Sequence, residues 1–98
     1  MRKFSVADGK DTNFSCLQGY IRLNFAEIQA VLGEPQFGPD ADLDGKVTCE
    51  WAIKFPDGTV ATIYDWKMLA TPFEEYNWHI GGHTDKAVEL VNQLFNKE

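Results

Sequence analysis

Apolar and polar positions alternate with a period of two in several stretches of this chain, and each stretch predicts a strand. Leu17, Gly19, Ile21 and Leu23 alternate with Gln18, Tyr20 and Arg22, as expected of a strand with one buried face. Val47, Cys49, Trp51, Ile53 and Phe55 alternate with Thr48, Glu50, Ala52 and Lys54 in a second strand. Pro56-Asp57-Gly58 then reads as a type I turn closed by a left-handed glycine, and the return strand runs from Thr59 to about Lys67. Tyr76, Trp78 and Ile80 alternate in a short last strand.

Two other segments carry the helical period. Phe25, Ile28, Val31 and Leu32 form one stripe, opened by Asn24 and Glu27 in capping-box spacing and stopped by Gly33 and Pro35. Ala87, Val88, Leu90, Val91, Leu94 and Phe95 form another, with Thr84 as its expected cap and Asp85 favouring its positive end. Residues 34–46 and 68–75 are connections. The expected fold is α+β, in the order β-α-β-β-β-α: a four-stranded, mainly antiparallel sheet with two helices packed on one face. Residues 1–13 read as a flexible N-terminal lead-in and residues 14–98 as a single domain.

The hairpin loop sets a register in which Phe55 faces Thr59, Ile53 faces Ala61 and Trp51 faces Ile63. Val47, Cys49, Trp51, Ile53, Phe55, Ala61 and Ile63 then share the core face. Thr48, Glu50, Ala52, Lys54, Val60, Thr62, Tyr64 and Trp66 share the other. Two features go against this pattern: Tyr64 and Trp66 are aromatics on the mostly polar face, and Asp65 points to the core side opposite Cys49.

A hydrophobic share of 44%, with 13% aromatic, is enough to build a core. The net charge of −6 argues against direct nucleic-acid binding, which takes a basic patch. It suits solubility or a basic protein partner. No apolar run is long enough for a signal peptide or a membrane span, and Cys16 and Cys49 do not make a secreted-type disulfide framework. Whether those two cysteines pair is left open. The expected setting is a reduced cytoplasm.

The candidate chemistry concentrates in Trp78-His79-Ile80-Gly81-Gly82-His83-Thr84-Asp85, read as a strand that breaks at two glycines and opens into a helix. Backbone N–H groups from Gly82 to Asp85 could cradle an anion at the helix N-terminus. The same glycines equally serve a plain left-handed turn before a cap, and Asp85 competes for the same dipole. In the ligand reading, Gly81, Gly82, His83 and Thr84 hold phosphate, His79 or His83 and Lys67 add donors, and Tyr64, Trp66 or Trp78 stack a base.

Other motifs fall short. Asp40, Asp42, Asp44 and Gly45 match the start of a calcium loop, but Trp51 occupies the position of the closing bidentate glutamate, so a solvated acidic loop is favoured. His79 and His83 are four apart, but the two glycines between them preclude a helix, and only Asp65, Cys49 or Cys16 could supply the third ligand that zinc needs. Cys49 lies on a core face, unsuited to a reactive thiol, and the neighbouring Glu74 and Glu75 define no acid–base pair. No nucleophile or metal set for phosphoester chemistry can be assembled.

Gly33-Glu34-Pro35, the run Lys46-Val47-Thr48-Cys49-Glu50-Trp51, the run Asp57-Gly58-Thr59-Val60-Ala61-Thr62-Ile63-Tyr64-Asp65-Trp66-Lys67, and Trp78-His79-Ile80-Gly81-Gly82 together resemble a small bacteriophage-encoded family. The similarity covers nearly the whole domain. It implies a setting: an accessory or counter-defence protein in the cytoplasm of an infected bacterium, acting by binding, without catalysis or a cofactor. One version sequesters a small phosphorylated, nucleotide-like ligand. The alternative is an acidic inhibitor that occludes a host protein. Sheet edges and exposed aromatics also raise a homodimer as an expectation.

Overall fold

The computed structural model describes residues 4–7, 15–35, 49–65 and 74–95. In chain order its elements are β1 (Ser5–Val6), β2 (Cys16–Leu23), α1 (Phe25–Leu32), β3 (Glu50–Lys54), β4 (Val60–Tyr64), β5 (Tyr76–Gly82) and α2 (Lys86–Leu94). The strands form one sheet in the order β1-β3-β4-β5-β2, with every neighbouring pair antiparallel. Both helices pack on one face, so the expected α+β layering holds. Among the described residues the sheet has five strands, where the alternation pattern predicted four. The additional strand comes from the polar lead-in: Ser5 pairs with Lys54, Val6 pairs with Ile53, and the Ala7 N–H donates to the Ala52 carbonyl at 3.0 Å. Two residues are too few to show an alternation, so nothing in the pattern announced it.

The hairpin has the predicted register. Trp51 pairs with Ile63 and Ile53 with Ala61, and the Phe55 N–H donates to the Thr59 carbonyl at 2.8 Å. Gly58 takes a φ of 93°, a conformation a side chain would strain, and Asp57 Oδ1 accepts from the Thr59 N–H at 2.9 Å. Cys49, Trp51, Ile53, Phe55, Ala61 and Ile63 are all buried on the helix side. Val47, Thr48 and Trp66 lie outside the described residues.

Asn24 caps α1 as expected. Its Oδ1 accepts from the Glu27 N–H at 2.8 Å, while Glu27 Oε1 accepts from the Asn24 N–H at 3.0 Å. Ile28 is the fully buried residue of the stripe, with Phe25 and Leu32 packed beside it, whereas Val31 is exposed. Eight residues make just over two turns, too short to bring all four apolar positions onto the sheet. Leu17 also departs from its expected core position. A register shift between Leu17 and Gly19 turns it to the outer face opposite Gly81, and it is exposed.

Trp51 and Trp78 meet edge to face in the core, with ring centroids 5.5 Å apart. Each buried indole has a carbonyl partner. Trp51 Nε1 donates to the Gly33 carbonyl at 2.8 Å, just past the end of α1, and Trp78 Nε1 donates to the Leu23 carbonyl at 2.9 Å. Asp65 is fully buried, as its inward register implied, and its Oδ1 accepts from the Cys49 N–H at 3.2 Å.

Candidate functional site

The face opposite the helices is set by strand alternation. Residues directly paired across antiparallel strands share a face. The pairings Glu50 with Tyr64, Tyr64 with His79 and His79 with Tyr20 therefore form one row across β3, β4, β5 and β2. The next row comprises Ala52, Thr62, Gly81 and Leu17. On the β3–β4 side this face is covered: Ala52, Val60 and Thr62 are buried, and Ala7 joins Ala52 and Val60 in a small cluster. On the β5–β2 side it is open, with Tyr20 and Leu17 exposed and His79 half-buried.

His79 is held between two phenol rings. Its ring centroid lies 4.9 Å from that of Tyr20, edge to face, and 5.4 Å from that of Tyr64 at a tilt of 33°. Burial lowers the His79 pKa, against a smaller opposing pull from the Asp65 carboxylate behind it. Burial also raises the Tyr64 pKa, reinforced by Glu50, Tyr20 and Cys16. At neutral pH the row accordingly sets an uncharged imidazole beside the uncharged Tyr64 phenol, with the Tyr20 ring on its other side, a surface of π faces and polar edges suited to a flat ring.

Gly81 and Gly82 sit within β5, and neither has a positive φ. The expected strand break at these glycines is therefore corrected: the strand runs through both, with Gly81 paired to Thr62 and Gly82 to Ala61. Their reason is close approach. A Cβ on Gly81 would fall 2.4 Å from Thr62 Oγ1 and 3.3 Å from Tyr64 Cε1; one on Gly82 would fall 2.7 Å from the Ala87 methyl group.

The start of α2 also differs from expectation. The capping position belongs to Asp85, which makes no side-chain cap bond, and not to Thr84. The Thr84 carbonyl accepts from the Ala87 N–H at 3.2 Å and the Asp85 carbonyl accepts from the Val88 N–H at 3.0 Å, so part of the first turn is satisfied internally. Exposed His83 and Thr84 line a hollow of about 270 Å³ with Asp57, Gly58, Thr59 and Val60 at the hairpin turn. Lys86 pairs with Asp57 there at 2.6 Å, holding the carboxyl well below the usual carboxylate range and raising the lysine.

The residues expected to form one site are thus divided. Tyr64, His79 and Gly81 come together on the outer face. His83 and Thr84 lie toward the hairpin turn, because Gly82 pairs with Ala61 while His79 pairs with Tyr64. Trp78 has no exposed surface and belongs to the core, so it cannot stack a ligand. Strand alternation sends it to the face opposite His79. Trp66, Lys67 and the Asp40-Asp42-Asp44 loop lie outside the described residues. Among the described residues no group of three or more His, Cys, Asp or Glu side chains is placed to hold a metal. Cys16, exposed, and Cys49, buried, are not joined in a disulfide.

Tyr20 and Glu50 complete the row and were not singled out from the sequence. Tyr20 carried the same signal as Tyr64, an aromatic at a polar-face position, but its placement beside His79 depends on the β2–β5 pairing between distant segments.

No protein-family model matches the chain, and comparison with curated proteins and with solved structures gives no significant match. No helix among the described residues is long and apolar enough to cross a membrane.

Proposed function

We propose that this chain is a binding protein of the bacteriophage accessory type, acting in the host bacterial cytoplasm to sequester a small phosphorylated ligand that carries an aromatic base. The Tyr20–His79–Tyr64 row carries this reading. Three rings on adjacent strands offer stacking surface with imidazole and phenol edges for hydrogen bonds. The reading relocates the site from the start of α2 to the outer face of β4, β5 and β2. It assigns the protein no catalytic step and no cofactor.

The test is a thermal-shift panel of AMP, GMP, cyclic AMP and cyclic di-AMP, with recovery of any responsive nucleotide after denaturation. A rise of several degrees with one member, abolished by His79→Ala and by Tyr64→Ala, supports sequestration. Recovery of that nucleotide unchanged supports binding without hydrolysis, and a converted product overturns it. No shift with any of the four overturns the nucleotide reading.

A second reading has its own observation. Val6, Leu17 and Tyr20 are large, exposed apolar side chains in a chain of net charge −6. This combination suits an acidic inhibitor that occludes a host protein. Nucleotide-insensitive capture of one host protein, lost on Tyr20→Ala, would favour it over sequestration.

A further inference from the structure

We propose that a second copy of this chain pairs antiparallel along the edge of β2 that faces away from β5, and that Arg22 of that copy completes the Tyr20–His79–Tyr64 surface with a cation for phosphate. The pairing stands on the sheet itself, whereas the role of Arg22 rests on the ligand reading above.

β2 is the longest strand and ends the sheet. It pairs with β5 on one side and has no neighbour on the other among the described residues. Such an edge offers a row of backbone donors and acceptors to another strand. The opposite edge, β1, has two residues and offers little. In a chain of net charge −6, Cys16-Leu17-Gln18-Gly19-Tyr20-Ile21-Arg22-Leu23 contains no carboxylate and a single cation. Two copies of β2 therefore bring no acid of their own strands together, and an identical strand supplies the partner symmetry favours.

The register follows from the irregularity in β2. The shift between Leu17 and Gly19 leaves Gly19 to Leu23 as the regular stretch. A two-fold pairing that uses this whole stretch has Ile21 on its axis, Gly19 opposite Leu23, and Tyr20 opposite Arg22. Opposed residues share a face, so Ile21 and Leu23, already buried in the core of their own chain, lie on the helix side, and the side chains that meet across the pairing are those of the outer face. On the outer face each Tyr20 receives the guanidinium of the other copy, a cation–π contact made twice. The Arg22 side chain is 60% exposed, and its Nε donates to Glu75, while a guanidinium carries four further N–H donors. The site then holds rings from one copy and a guanidinium from the other, a combination that suits a phosphorylated base.

Sedimentation of the full chain gives the first readout, with a mass twice the 11.1 kDa of one chain expected and the single-chain mass overturning the proposal. Oxidative cross-linking tests the register in a Cys16→Ser background. Mixing Tyr20→Cys with Arg22→Cys brings the new thiols onto opposed positions about 4.5–5.5 Å apart between Cα atoms, within disulfide reach. The mixture should give a covalent dimer, whereas each variant alone should give little, its cysteines lying two residues out of register. A dimer that fails to cross-link in the mixture, or that forms instead on another strand, overturns the proposal. A foreign peptide that occupies β2 in a monomeric chain does so as well.

The shared site has its own arm. Arg22→Gln and His79→Ala should each abolish the response to the nucleotide found active in the panel. Mixed, they should restore up to a quarter of the sites, because a mixed dimer contains one intact site. No restoration, with the cross-link intact, removes Arg22 from the site and leaves sequestration by the rings of one copy. A cross-linked dimer that binds none of the panel removes the ligand reading and leaves the interface.

Discussion

The Tyr64 ring lies over the backbone of Gly81, so close that a single methyl group there would reach 3.3 Å from Tyr64 Cε1 and 2.4 Å from Thr62 Oγ1. This glycine serves the outer face of the sheet and no turn, for its φ is not positive. Gly81→Ala should destabilise the fold by about 1–3 kcal/mol through overpacking, reduced a little by the lower entropy of the unfolded chain. Urea denaturation checks the sign. Adding Thr62→Ala removes the nearer clash, so the double variant should recover part of the loss; strict additivity would show that Thr62 is not the obstacle.

Trp78 and His79 are consecutive, yet they belong to opposite faces and should answer mutation differently. Trp78→Ala opens a cavity in the core and removes the indole donor to the Leu23 carbonyl, so a loss of about 3–5 kcal/mol is expected. Tyr20→Ala removes an exposed ring on the same sheet and should cost about 1 kcal/mol or less. Equal losses from the two variants in equilibrium unfolding would contradict the assignment of core and surface.

Much of this fold was legible because its signals are local. The Pro56-Asp57-Gly58 loop fixes the β3–β4 register over the next several pairs, and the inward turn of Asp65 follows from counting along it. The Asn24–Glu27 box likewise depends on residues three apart. The candidate site was harder to read for the opposite reason. Gly81-Gly82 before a helical pattern has the same sequence whether it turns or runs straight. Contacts from distant segments decide for the straight strand: both glycines pair with β4, and Thr62, Tyr64 and Ala87 press on them. Tyr20 reaches His79 through a pairing of segments 59 positions apart, which no turn chemistry specifies.

The lowered pKa of His79 gives stability a defined pH dependence. Burial favours the neutral ring, so in the window below the ordinary value of 6.5 the unfolded chain binds more protons than the folded one. The contribution is fully present above 6.5 and is lost as pH falls through the folded-state value. The urea midpoint should therefore fall on acidification through this window, and His79→Gln should flatten the fall. An unchanged slope in the variant would assign the acid sensitivity to other groups.

Asp65 joins the core to the outer face. Its carboxylate accepts from the Cys49 N–H at 3.2 Å inside the sheet, and it favours protonation of His79 against the stronger effect of burial. Asp65→Asn keeps an oxygen acceptor for that N–H but removes the charge, so the chain should stay folded while His79 titrates at a lower pH. Asp65→Ala removes the acceptor as well and leaves the buried Cys49 N–H without this bond, at a cost of about 1–3 kcal/mol. NMR titration of the imidazole in the asparagine variant separates the two roles. A downward shift identifies Asp65 as a charge that tunes the outer row through the sheet. An unmoved titration, with the alanine variant destabilised as expected, reduces it to a hydrogen-bond acceptor that holds the start of β3.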